Sequence, residues 1–585
     1  MEDIVITGVG IVSAIGNDTS SVLESLRKEV SGIGEMRYLS SIHKELPVGE
    51  VKLSDNQLKD ILGISHEKII SRTTLLGAVA LNQAVKDAAI TTDGKRVVII
   101  NGTTVGGMDV TEQFFSDMKT NAECLKMLEK HDCGSCTKDI AALCNINAEV
   151  CTVSTACSSA LNAVILGAEM LKNDEADVVI SGGTEGLSKF HLNGFNTLMI
   201  LDHQRCRPFD ETREGINLGE GAAYVVLQRK EDCSSPIKAH ISGYSNACDA
   251  FHQTATSEDG LGPVLAMSQA LKMSALNVSD IDYVNAHGTG TPNNDFTESV
   301  AIKKIFGNYI PYISSTKAYT GHTTSASGAI ELVICLLAME HNFIPSNLGC
   351  TKPLHGGIVP SIGKVNCRVD NVMCNAFGFG GNDSSLIISR NTLPILHSSP
   401  LAPHLSPIEV VAECVIDNVE QLKDSKDLIP PMEARRMGKL LKAATLTSLR
   451  ALKMAGIEKP DAIITATSGG MIENSEKFLI DMVENGESLL KPTLFMQSTH
   501  NTIGSSIAIR LKCHGYNTTY TQGAESLEWA MRDAERLIKS GKADSVLVGM
   551  HDESTPLLNE LLSKAGKKEL PLIYSKSIVV RRIKD

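Results

Sequence analysis

Short apolar runs and longer segments with helical spacing alternate along the chain. Three runs, Glu2–Thr7, Val97–Ile100 and Asp177–Ser181, predict buried strands that lead into glycine. Segment Ser71–Ala89 has the apolar spacing of a helix, and Ala156–Leu171 is small and apolar nearly all round, as buried helices are. Strands that alternate with helices indicate an α/β fold.

A proline- and serine-rich segment interrupts this pattern after Ser389. Such a composition is typical of a linker and predicts two units, residues 1–392 and 408–585, joined by residues 393–407. The prolines of this segment are Pro394, Pro400, Pro403 and Pro407.

The unit after the linker repeats part of the unit before it. Ser71–Met108 compares with Arg435–Met471, because both run arginine, helix, short break, strand and Gly-Gly-Met. Ala168–Glu185 compares with Ala534–Glu553, in the same order along the chain and at similar spacing. Any two strand–helix units are somewhat alike, but the shared order favours a duplication.

Composition narrows the classes of function. The 585 residues include 55 Lys+Arg and 68 Asp+Glu, a net charge of −13, which disfavours a broad nucleic-acid or anionic-membrane surface. The 15 cysteines are scattered along the chain, which is typical of reduced thiols in a cytoplasmic protein. Met1–Ser20 lacks the cationic start of a secretory signal. The apolar run Leu332–Met339 is too short to span a membrane. We therefore expect a cytoplasmic protein that binds neither nucleic acid nor membrane.

One cysteine stands where a nucleophile would. Cys157 lies within Val153–Ala160, where a predicted strand passes into the buried helix. A thiol at a helix N-terminus feels the positive end of the dipole and unpaired N–H groups, and both favour the thiolate. The small neighbours leave space for a substrate. Taken alone, the segment favours a buried structural cysteine, which is what most cysteines are.

Two histidines occupy comparable positions. His287 follows the predicted strand Asp282–Val284 and opens a glycine- and threonine-rich loop. His322 precedes a second small-residue helix, Thr324–Met339. Strand ends are where sites form in α/β folds, although a loop histidine with its hydrogen bonds satisfied is the plainer alternative.

A lysine, a glutamate and a glycine-rich loop complete the set. Lys317 and Glu331 flank His322, and a structural ion pair is their plainer interpretation. The loop Phe377–Gly381 follows the predicted strand Val372–Cys374 and could present N–H groups to an oxyanion, although a tight hairpin needs the same glycines. One cysteine, two histidines and a glycine loop in this order are the parts of a thiol acyl-transfer site.

These segments resemble the elongating β-ketoacyl-acyl carrier protein synthases. Arg207–Asp210 and Leu218–Ala222 match further motifs of that family, so the resemblance extends over residues 1–392. It implies an α/β fold of the thiolase-like layered αβαβα type, followed by a C-terminal unit equal to half of such a fold. It also implies an acyltransferase that performs a decarboxylative Claisen condensation.

The resemblance assigns roles to the candidate residues. Cys157 takes an acyl group from the phosphopantetheine arm of an acyl carrier protein. His287 and His322 hydrogen-bond the malonyl thioester oxygen and stabilise the enolate as carbon dioxide leaves, a task that suits neutral imidazoles. The enolate carbon then attacks the acyl group on Cys157. Lys317 and Glu331 match the polar pair that supports the histidines.

Further contacts are implied in the same way. The N–H groups of Cys157 and Phe379 match the oxyanion hole, and Phe379 also matches the gate to the acyl pocket, with Phe377 beside it as a substrate-binding residue. Thr289 and Thr291 match the residues that hold the pantetheine arm. No bound cofactor and no metal are expected, because the thioester supplies the driving force.

The surface of this domain offers one candidate contact for the acidic carrier protein. Arg205 is that candidate, whereas Arg207 either joins it or pairs with Asp210 inside the domain. The partners expected are the acyl and malonyl forms of the carrier protein.

The chain departs from the family in two places. It has Gly380–Asp383 where the family has Gly-Gly-Thr-Asn, and the polar segment Thr323–Ser327 where the family has mostly apolar residues. We expect both departures to change the shape of the acyl pocket without touching the cysteine and the two histidines.

Residues 408–585 resemble only the N-terminal half of a ketosynthase. Aligning Thr155–Ser159 with Gln522–Ser526 places Ala524 where Cys157 stands, and no His-Gly-Thr loop follows. The unit is therefore predicted to be inactive and to shape the acyl tunnel or the dimer. The arrangement is similar to the ketosynthase and chain-length factor pairs of aryl polyene and flexirubin-type clusters, which implies a homodimer or a pseudo-heterodimer formed through this unit.

Other functions are weaker alternatives. Housekeeping fatty acid elongation and a non-catalytic partner subunit remain open, whereas a thiolase would need a second cysteine in place of His322 and a serine hydrolase would need a G-x-S-x-G turn. The pair Cys133 and Cys136 would need further ligands to bind zinc, and its role stays open. Asp295 and Glu298 are interpreted as structural residues at a helix start.

Overall fold

The computed structural model describes residues 3–392, 408–425 and 428–583. The predicted linker 393–407 lies outside the described residues. Within them the chain forms seventeen strands, nineteen α-helices and several short 3-10 turns. In the same residues, no helix is both long and apolar enough to cross a bilayer.

The strands are β1 (Ile4–Ser13), β2 (Val97–Gly102), β3 (Glu149–Val153), β4 (Val178–Glu185), β5 (Gly221–Arg229), β6 (Ala239–Cys248), β7 (Tyr283–Asn285), β8 (Tyr312–Ser314), β9 (Phe343–Ile344), β10 (Val365–Asn366), β11 (Asn371–Gly378), β12 (Asn382–Ser389), β13 (Ile408–Ile416), β14 (Ala462–Ala466), β15 (Asn517–Tyr520), β16 (Ser545–Glu553) and β17 (Ile573–Arg582). The helices are α1 (Thr19–Arg27), α2 (Asp55–Leu62), α3 (Arg72–Ala88), α4 (Met108–Phe114), α5 (Ala122–Leu125), α6 (Cys133–Leu143), α7 (Ser159–Lys172), α8 (Lys189–Thr197), α9 (Leu261–Ser274), α10 (Pro292–Phe306), α11 (Lys317–Thr320), α12 (Ser327–His341), α13 (Pro431–Ala434), α14 (Lys439–Ala455), α15 (Ile472–Asn485), α16 (Pro492–Met496), α17 (Thr502–Leu511), α18 (Ser526–Lys539) and α19 (Pro556–Lys564).

The first unit is built in five layers around two buried helices. Helices α7 and α12 pack on each other, and α7 contacts β2 and β4 on one side and β6 and β12 on the other. Helix α3 covers the outer face of β1, β4 and β5, and α9 covers the outer face of β6 and β12. This order of helix, sheet, helix, sheet and helix confirms the predicted αβαβα fold.

Two strands extend past the glycines that were expected to end them. Strand β1 continues to Ser13 and β4 continues to Glu185. A Cβ at Gly10 would lie 1.9 Å from the carbonyl oxygen of Ala80, and one at Gly182 would lie 2.0 Å from the carbonyl oxygen of Ala223. These glycines therefore allow a neighbouring backbone to approach closely, and they do not mark turns.

The second unit has the topology of the first half of the first unit. The sheet runs β13-β17-β16-β14-β15 in one unit and continues as β3-β2-β4-β5-β1 in the other, so each strand has its counterpart in mirror order. Helices α3 and α14 have 17 residues each, and α7 and α18 have 14 each. The predicted duplication is confirmed at the level of fold.

The two units share one sheet and one core. Strands β3 and β15 pair antiparallel at Val153 and Tyr520, so a single fifteen-stranded sheet crosses the junction. One cluster of buried apolar residues includes side chains from both units, Val153 and Tyr520 among them. At the edge of the junction, the guanidinium of Arg536 donates to both carboxylate oxygens of Glu175, at 2.7 and 2.9 Å. The second unit is therefore part of the fold that positions the site.

Candidate active site

The candidate nucleophile sits on a strained turn. Strand β3 ends at Val153, and a 3-10 turn over Ala156–Ser158 precedes α7. Ala156 has a φ of +52°, a left-handed conformation that non-glycine residues seldom adopt. The Oγ of Ser159 accepts a hydrogen bond from the N–H of Thr155 at 2.8 Å and closes the turn. This turn presents the Cys157 side chain between the sheet and the buried helix.

The loop that carries His287 is held by two buried carboxylates. Glu298 accepts hydrogen bonds from the N–H groups of His287 and Gly288, both at 2.8 Å. Asp295 accepts from the N–H groups of Phe209 and Gly290 at 2.7 and 3.1 Å. The structural role expected for Asp295 and Glu298 is thus the support of the histidine loop.

His322 is held at its backbone and at its ring. Its N–H donates to the carbonyl oxygen of Asn217 at 2.7 Å. Its Nδ1 lies 2.9 Å from the Oγ of Ser327, and that hydroxyl lies 3.2 Å from the Oγ1 of Thr323. The expectation that the polar segment Thr323–Ser327 leaves the histidines untouched is therefore wrong, since Ser327 contacts the His322 ring directly.

The cysteine and both histidines meet in one buried cluster. The Nε2 of His322 lies 3.2 Å from the Sγ of Cys157. The rings of His287 and His322 are 5.5 Å apart between centroids and nearly perpendicular, at 80°. All three side chains are almost fully buried. Residues that are 165 positions apart thus form a compact reaction centre.

Lys317 and Glu331 form an ion pair directly behind this centre. The Nζ of Lys317 lies 2.5 Å from the Oε1 of Glu331 and donates to the carbonyl oxygen of His287 at 2.6 Å. The same Nζ lies 3.4 Å from the Nδ1 of His287. Both partners are buried, so the pair holds a positive charge beside the imidazoles in a dry environment.

This environment keeps both imidazoles neutral. Burial, and then the charge of Lys317, lower the pKa of His287 and of His322 well below the ordinary value. A neutral imidazole still offers one N–H group as a hydrogen-bond donor. That group can stabilise an oxyanion without giving up its proton.

The thiol differs from the expectation drawn from its position. Burial raises the pKa of Cys157 to about 11, although Lys317 and the N–H of Phe379 act in the opposite direction. The prediction that the helix terminus favours the thiolate is therefore wrong for the resting site, because desolvation outweighs the nearby dipoles. The thiol rests protonated beside the Nε2 of His322.

The glycine loop lies directly over the thiol. The N–H of Phe379 lies near enough to the Cys157 sulfur to lower the pKa of the thiol in part. A Cβ at Gly378 would lie 3.2 Å from the backbone nitrogen of Cys157, and Gly380 has a φ of +83°. The ring of Phe377 packs 6.0 Å from that of His287. The loop therefore needs its glycines to bring an N–H donor to the sulfur.

Thr289, Thr291 and Arg205 are the residues predicted to contact the pantetheine arm and the carrier protein. The hydroxyls of Thr289 and Thr291 are 2.9 Å apart, just before α10. Arg205 is exposed. Arg207 lies 3.1 Å from a carboxylate oxygen of Asp202, so the alternative pairing with Asp210 is wrong. Asp210 instead accepts from backbone N–H groups, that of Lys352 among them.

The second unit repeats the turn without the thiol. Gly523 has a φ of +61° where Ala156 has +52°, and the Oγ of Ser526 accepts from the N–H of Gln522 at 2.7 Å. Ala524 follows Gly523 in this turn, as Cys157 follows Ala156. The predicted alignment is confirmed in the backbone, and the nucleophile position holds a methyl group.

The second unit also contributes residues that the sequence did not single out. The Nδ2 of Asn501 donates to the carbonyl oxygen of Phe379 at 2.9 Å. The ring of Phe495 packs 5.2 Å from that of Phe195, which itself lies 5.9 Å from the Phe379 ring. The duplication could have indicated this region of the second unit, because α17 corresponds to α6 and both helices start beside the junction.

The cluster also has the spacing of a three-ligand metal site. The Cys157 sulfur and one nitrogen from each histidine lie within 4.8 Å of one another. The buried cation of Lys317 disfavours a second positive charge at this position. That the protein works without a metal remains a prediction.

The pair Cys133 and Cys136 is poorly placed for thiolate chemistry. Both cysteines are buried on α6, and burial raises the pKa of each. The Oγ1 of Thr74 donates to the sulfur of Cys136 at 3.4 Å. Cys136 packs against α3 as part of an apolar cluster of the first unit.

A thiol, two neutral imidazoles and a backbone N–H in one pocket define a thiol acyl-transfer site on a thiolase-like fold. Comparison with known proteins agrees. The family model "Beta-ketoacyl synthase, N-terminal domain" matches residues 1–233, "Beta-ketoacyl synthase, C-terminal domain" matches 238–351, and a second N-terminal-domain model matches 413–574. The 3-oxoacyl-[acyl-carrier-protein] synthase 2 of Coxiella burnetii is 32% identical over 413 residues, which are 66% of this chain and 98% of that protein. The chain belongs to the β-ketoacyl synthase family, whose members are acyltransferases that form a carbon–carbon bond.

Solved structures extend the likeness to the second unit. "The ishigamide ketosynthase/chain length factor" is 28% identical with a TM-score of 0.62, over 67% of this chain and all of that chain. "PfaC Keto synthase-Chain length factor" covers 100% of this chain and 78% of its own, with a TM-score of 0.77 and 16% identity. The latter shows likeness of fold, and that likeness includes residues 408–583.

Proposed function

We propose that this protein condenses an acyl group held on Cys157 with malonyl-acyl carrier protein, and that it does so in a specialised polyketide or polyene synthesis of the aryl polyene or flexirubin type. The observation that carries the proposal is the single buried cluster of Cys157, His287 and His322 beneath the N–H of Phe379. The second unit is the chain-length-limiting partner in this proposal.

The first step transfers the acyl group to the enzyme. The sulfur of Cys157 attacks the thioester carbonyl carbon of acyl-carrier protein, the new C–S bond forms, and the pantetheine thiolate leaves. His322 lies 3.2 Å from the sulfur and can pass the thiol proton toward the departing thiolate. The N–H groups of Cys157 and Phe379 stabilise the tetrahedral oxyanion.

The second step forms the carbon–carbon bond. The thioester oxygen of malonyl-carrier protein accepts hydrogen bonds from His287 and His322, so the electrons left by departing carbon dioxide are held as an enolate. The enolate carbon attacks the acyl carbonyl on Cys157, the acyl C–S bond breaks, and the cysteine leaves as a thiolate. This thiolate takes up a proton from solvent to restore the resting thiol. Neutral imidazoles suit this step, and burial beside Lys317 supports that state.

The carrier protein supplies the only prosthetic group in this scheme. Thr289 and Thr291 are proposed to bind the pantetheine arm, and exposed Arg205 to meet the acidic carrier surface. Phe377 and Phe379 are proposed to line the acyl site. Lys317 and Glu331 position the histidines in this proposal.

The test is a reconstituted condensation with carrier proteins that bear different acyl groups. We expect the purified protein to form β-ketoacyl-carrier protein with release of carbon dioxide. It should prefer conjugated or aryl-capped acyl groups by about tenfold, because a difference of about one methylene group in the fit to an apolar pocket has an effect of this size. Equal or better use of saturated fatty acyl groups would assign the protein to fatty acid elongation instead.

The second unit is proposed to close the acyl pocket with an aromatic ring. Phe495 is buried, contacts Phe195 and Phe190, and lies where a Cβ at Gly194 would be 2.1 Å from its ring. A row of rings therefore leads from Phe379 to the second unit.

Replacing Phe495 by leucine is expected to lengthen the products. The change frees roughly the volume of one or two methylene groups, so the main product should grow by about one two-carbon unit. Mass spectrometry of the products measures this. Phe478→Leu is the matched control, because Phe478 lies in the same cluster and contacts Phe190 and Phe495 but not Phe195. An equal shift in both variants would contradict the assignment.

A further inference from the structure

One amide of the second unit reaches the backbone of the catalytic loop. Asn501 is 1% exposed and lies just before α17. Its Nδ2 donates to two acceptors of the loop, the carbonyl oxygen of Phe379 at 2.9 Å and the Oδ1 of Asn382 at 2.8 Å. The Nδ2 of Asn382 in turn donates to the carbonyl oxygen of Asn517 at 3.1 Å. An unbroken set of hydrogen bonds thus joins β15 to the loop over Cys157.

Close packing leaves this loop little freedom at the same point. A Cβ at Gly380 would lie 2.1 Å from the Oγ of Ser505, one turn into α17. The N–H of Gly380 donates to the carbonyl oxygen of Gln253 at 2.7 Å, and the side chain of Gln253 donates to Ser506 at 3.1 Å. The segment Phe379–Asn382 is therefore held between the first unit and α17.

The corresponding residue of the first unit cannot act in this way. Asp132 stands just before α6, as Asn501 stands before α17, and its carboxylate accepts from the N–H of Gly134. A carboxylate has no donor for a carbonyl oxygen. The two units therefore differ in the chemistry of this side chain. The position that faces the loop over Cys157 has an amide, which can donate a hydrogen bond.

We propose that Asn501 is a positioning residue for the oxyanion hole, and that the second unit thereby completes the active site of the first. Asn501 fixes the peptide that follows Phe379, and so sets the direction of the Phe379 N–H that meets the Cys157 sulfur. This inference rests on the proposed function. Residues that hold an oxyanion donor must keep it within fractions of an ångström.

The proposal predicts a split between two activities of one site. Acylation of Cys157 passes through an oxyanion at Phe379, whereas decarboxylation of malonyl-carrier protein on the unacylated enzyme depends on the two histidines. Loss of an oxyanion donor costs about 10²–10³-fold in rate, so displacement of the Phe379 N–H should cost at least about tenfold. Decarboxylation should stay within about threefold of the wild-type rate, because its oxyanion is held by the two histidines and not by the Phe379 N–H.

The experiment compares Asn501→Asp and Asn501→Ser with wild type. Acylation is followed by intact mass with acyl-carrier protein, and decarboxylation by carbon dioxide release from malonyl-carrier protein. We expect the ratio of acylation to decarboxylation to fall about tenfold or more in Asn501→Asp, whose carboxylate faces two acceptors, and in the same direction in Asn501→Ser. Asn474→Asp is the matched control, since Asn474 lies on α15 and its side-chain amide donates to the carbonyl oxygen of Gln497, at 3.4 Å, and not to the catalytic loop.

The ratio separates the inference from the function beneath it. If both activities fall together in the Asn501 variants, or neither changes, Asn501 is a structural residue and the inference is overturned. If wild type itself shows neither acylation nor decarboxylation, the proposed function fails, whatever the variants do.

Discussion

Replacing Cys157 by alanine is expected to abolish acyl transfer. The wild-type protein incubated with acyl-carrier protein should gain the mass of one acyl group, and the variant should gain none. Condensation should fall by roughly 10⁴-fold or more, since removal of a nucleophile eliminates the covalent path and leaves only binding and electrostatic contributions. Intact mass spectrometry and product formation measure the two effects.

Two controls make the result specific. Cys233→Ala removes a half-buried thiol that bonds to the carbonyl oxygen of Ser235 and not to the cluster, and it should leave acylation unchanged. Acylation that persists in Cys157→Ala would place the nucleophile elsewhere among the fifteen cysteines. No acylation of folded wild type by any donor would favour the reading of this chain as a non-catalytic partner subunit.

The raised pKa of the thiol shapes how this acylation should proceed. With a pKa of about 11, the Cys157 thiol is protonated at neutral pH, so acylation has to include removal of this proton. His322 at 3.2 Å is the neighbour that can accept it. Lys317 lowers the pKa of the thiol and also that of both imidazoles, so one buried cation favours thiolate formation while it keeps the histidines neutral.

The fold could be predicted because its signals are local. Apolar runs, small-residue helices and their order along the chain are read from neighbouring residues, and the duplication is visible as a repeated order. The glycines of β1 and β4 misled the prediction of strand ends, because their role is to admit the backbone of another element. Such a role depends on a contact that only the folded chain contains.

The candidate site could be predicted only as far as its motifs extend. Cys157, His287 and His322 each stand in a recognisable segment, and the structure brings them together. Ser327 stands in a segment that the sequence marked only as a departure from the family. Asn501 and Phe495 stand in no recognisable segment and come from the second unit, more than a hundred residues farther along the chain. Likewise, the helix terminus near the cysteine was visible, but the burial that outweighs it was not.

Replacing His287 by alanine is expected to separate decarboxylation from acylation. Decarboxylation of malonyl-carrier protein should fall about 10²–10³-fold, the usual effect of removing one donor from a developing oxyanion. Acylation of Cys157 should change by no more than a few fold, because His322, and not His287, lies 3.2 Å from the sulfur. His322→Ala should reduce both activities. Carbon dioxide release and intact mass measure the two steps in the same samples.

The pH profile gives this prediction a second, independent test. His287 donates to the enolate oxygen as a neutral imidazole. Burial together with Lys317 lowers the pKa of His287 well below about 6.5, its ordinary value. A lowered pKa means that the neutral form persists as pH falls through 6.5 and is lost only below the lowered value. Titration of His287 should therefore cause no loss of wild-type decarboxylation from about pH 8 to 6, although burial raises the pKa of Glu298 and of Glu331 to about 7, within the same range. His355→Ala, at an exposed histidine, should match wild type throughout. A fall in rate centred near pH 6.5 that persists in Glu298→Gln and in Glu331→Gln would show that His287 is solvated in the working enzyme, and that the neutral donor pair is not what stabilises the enolate.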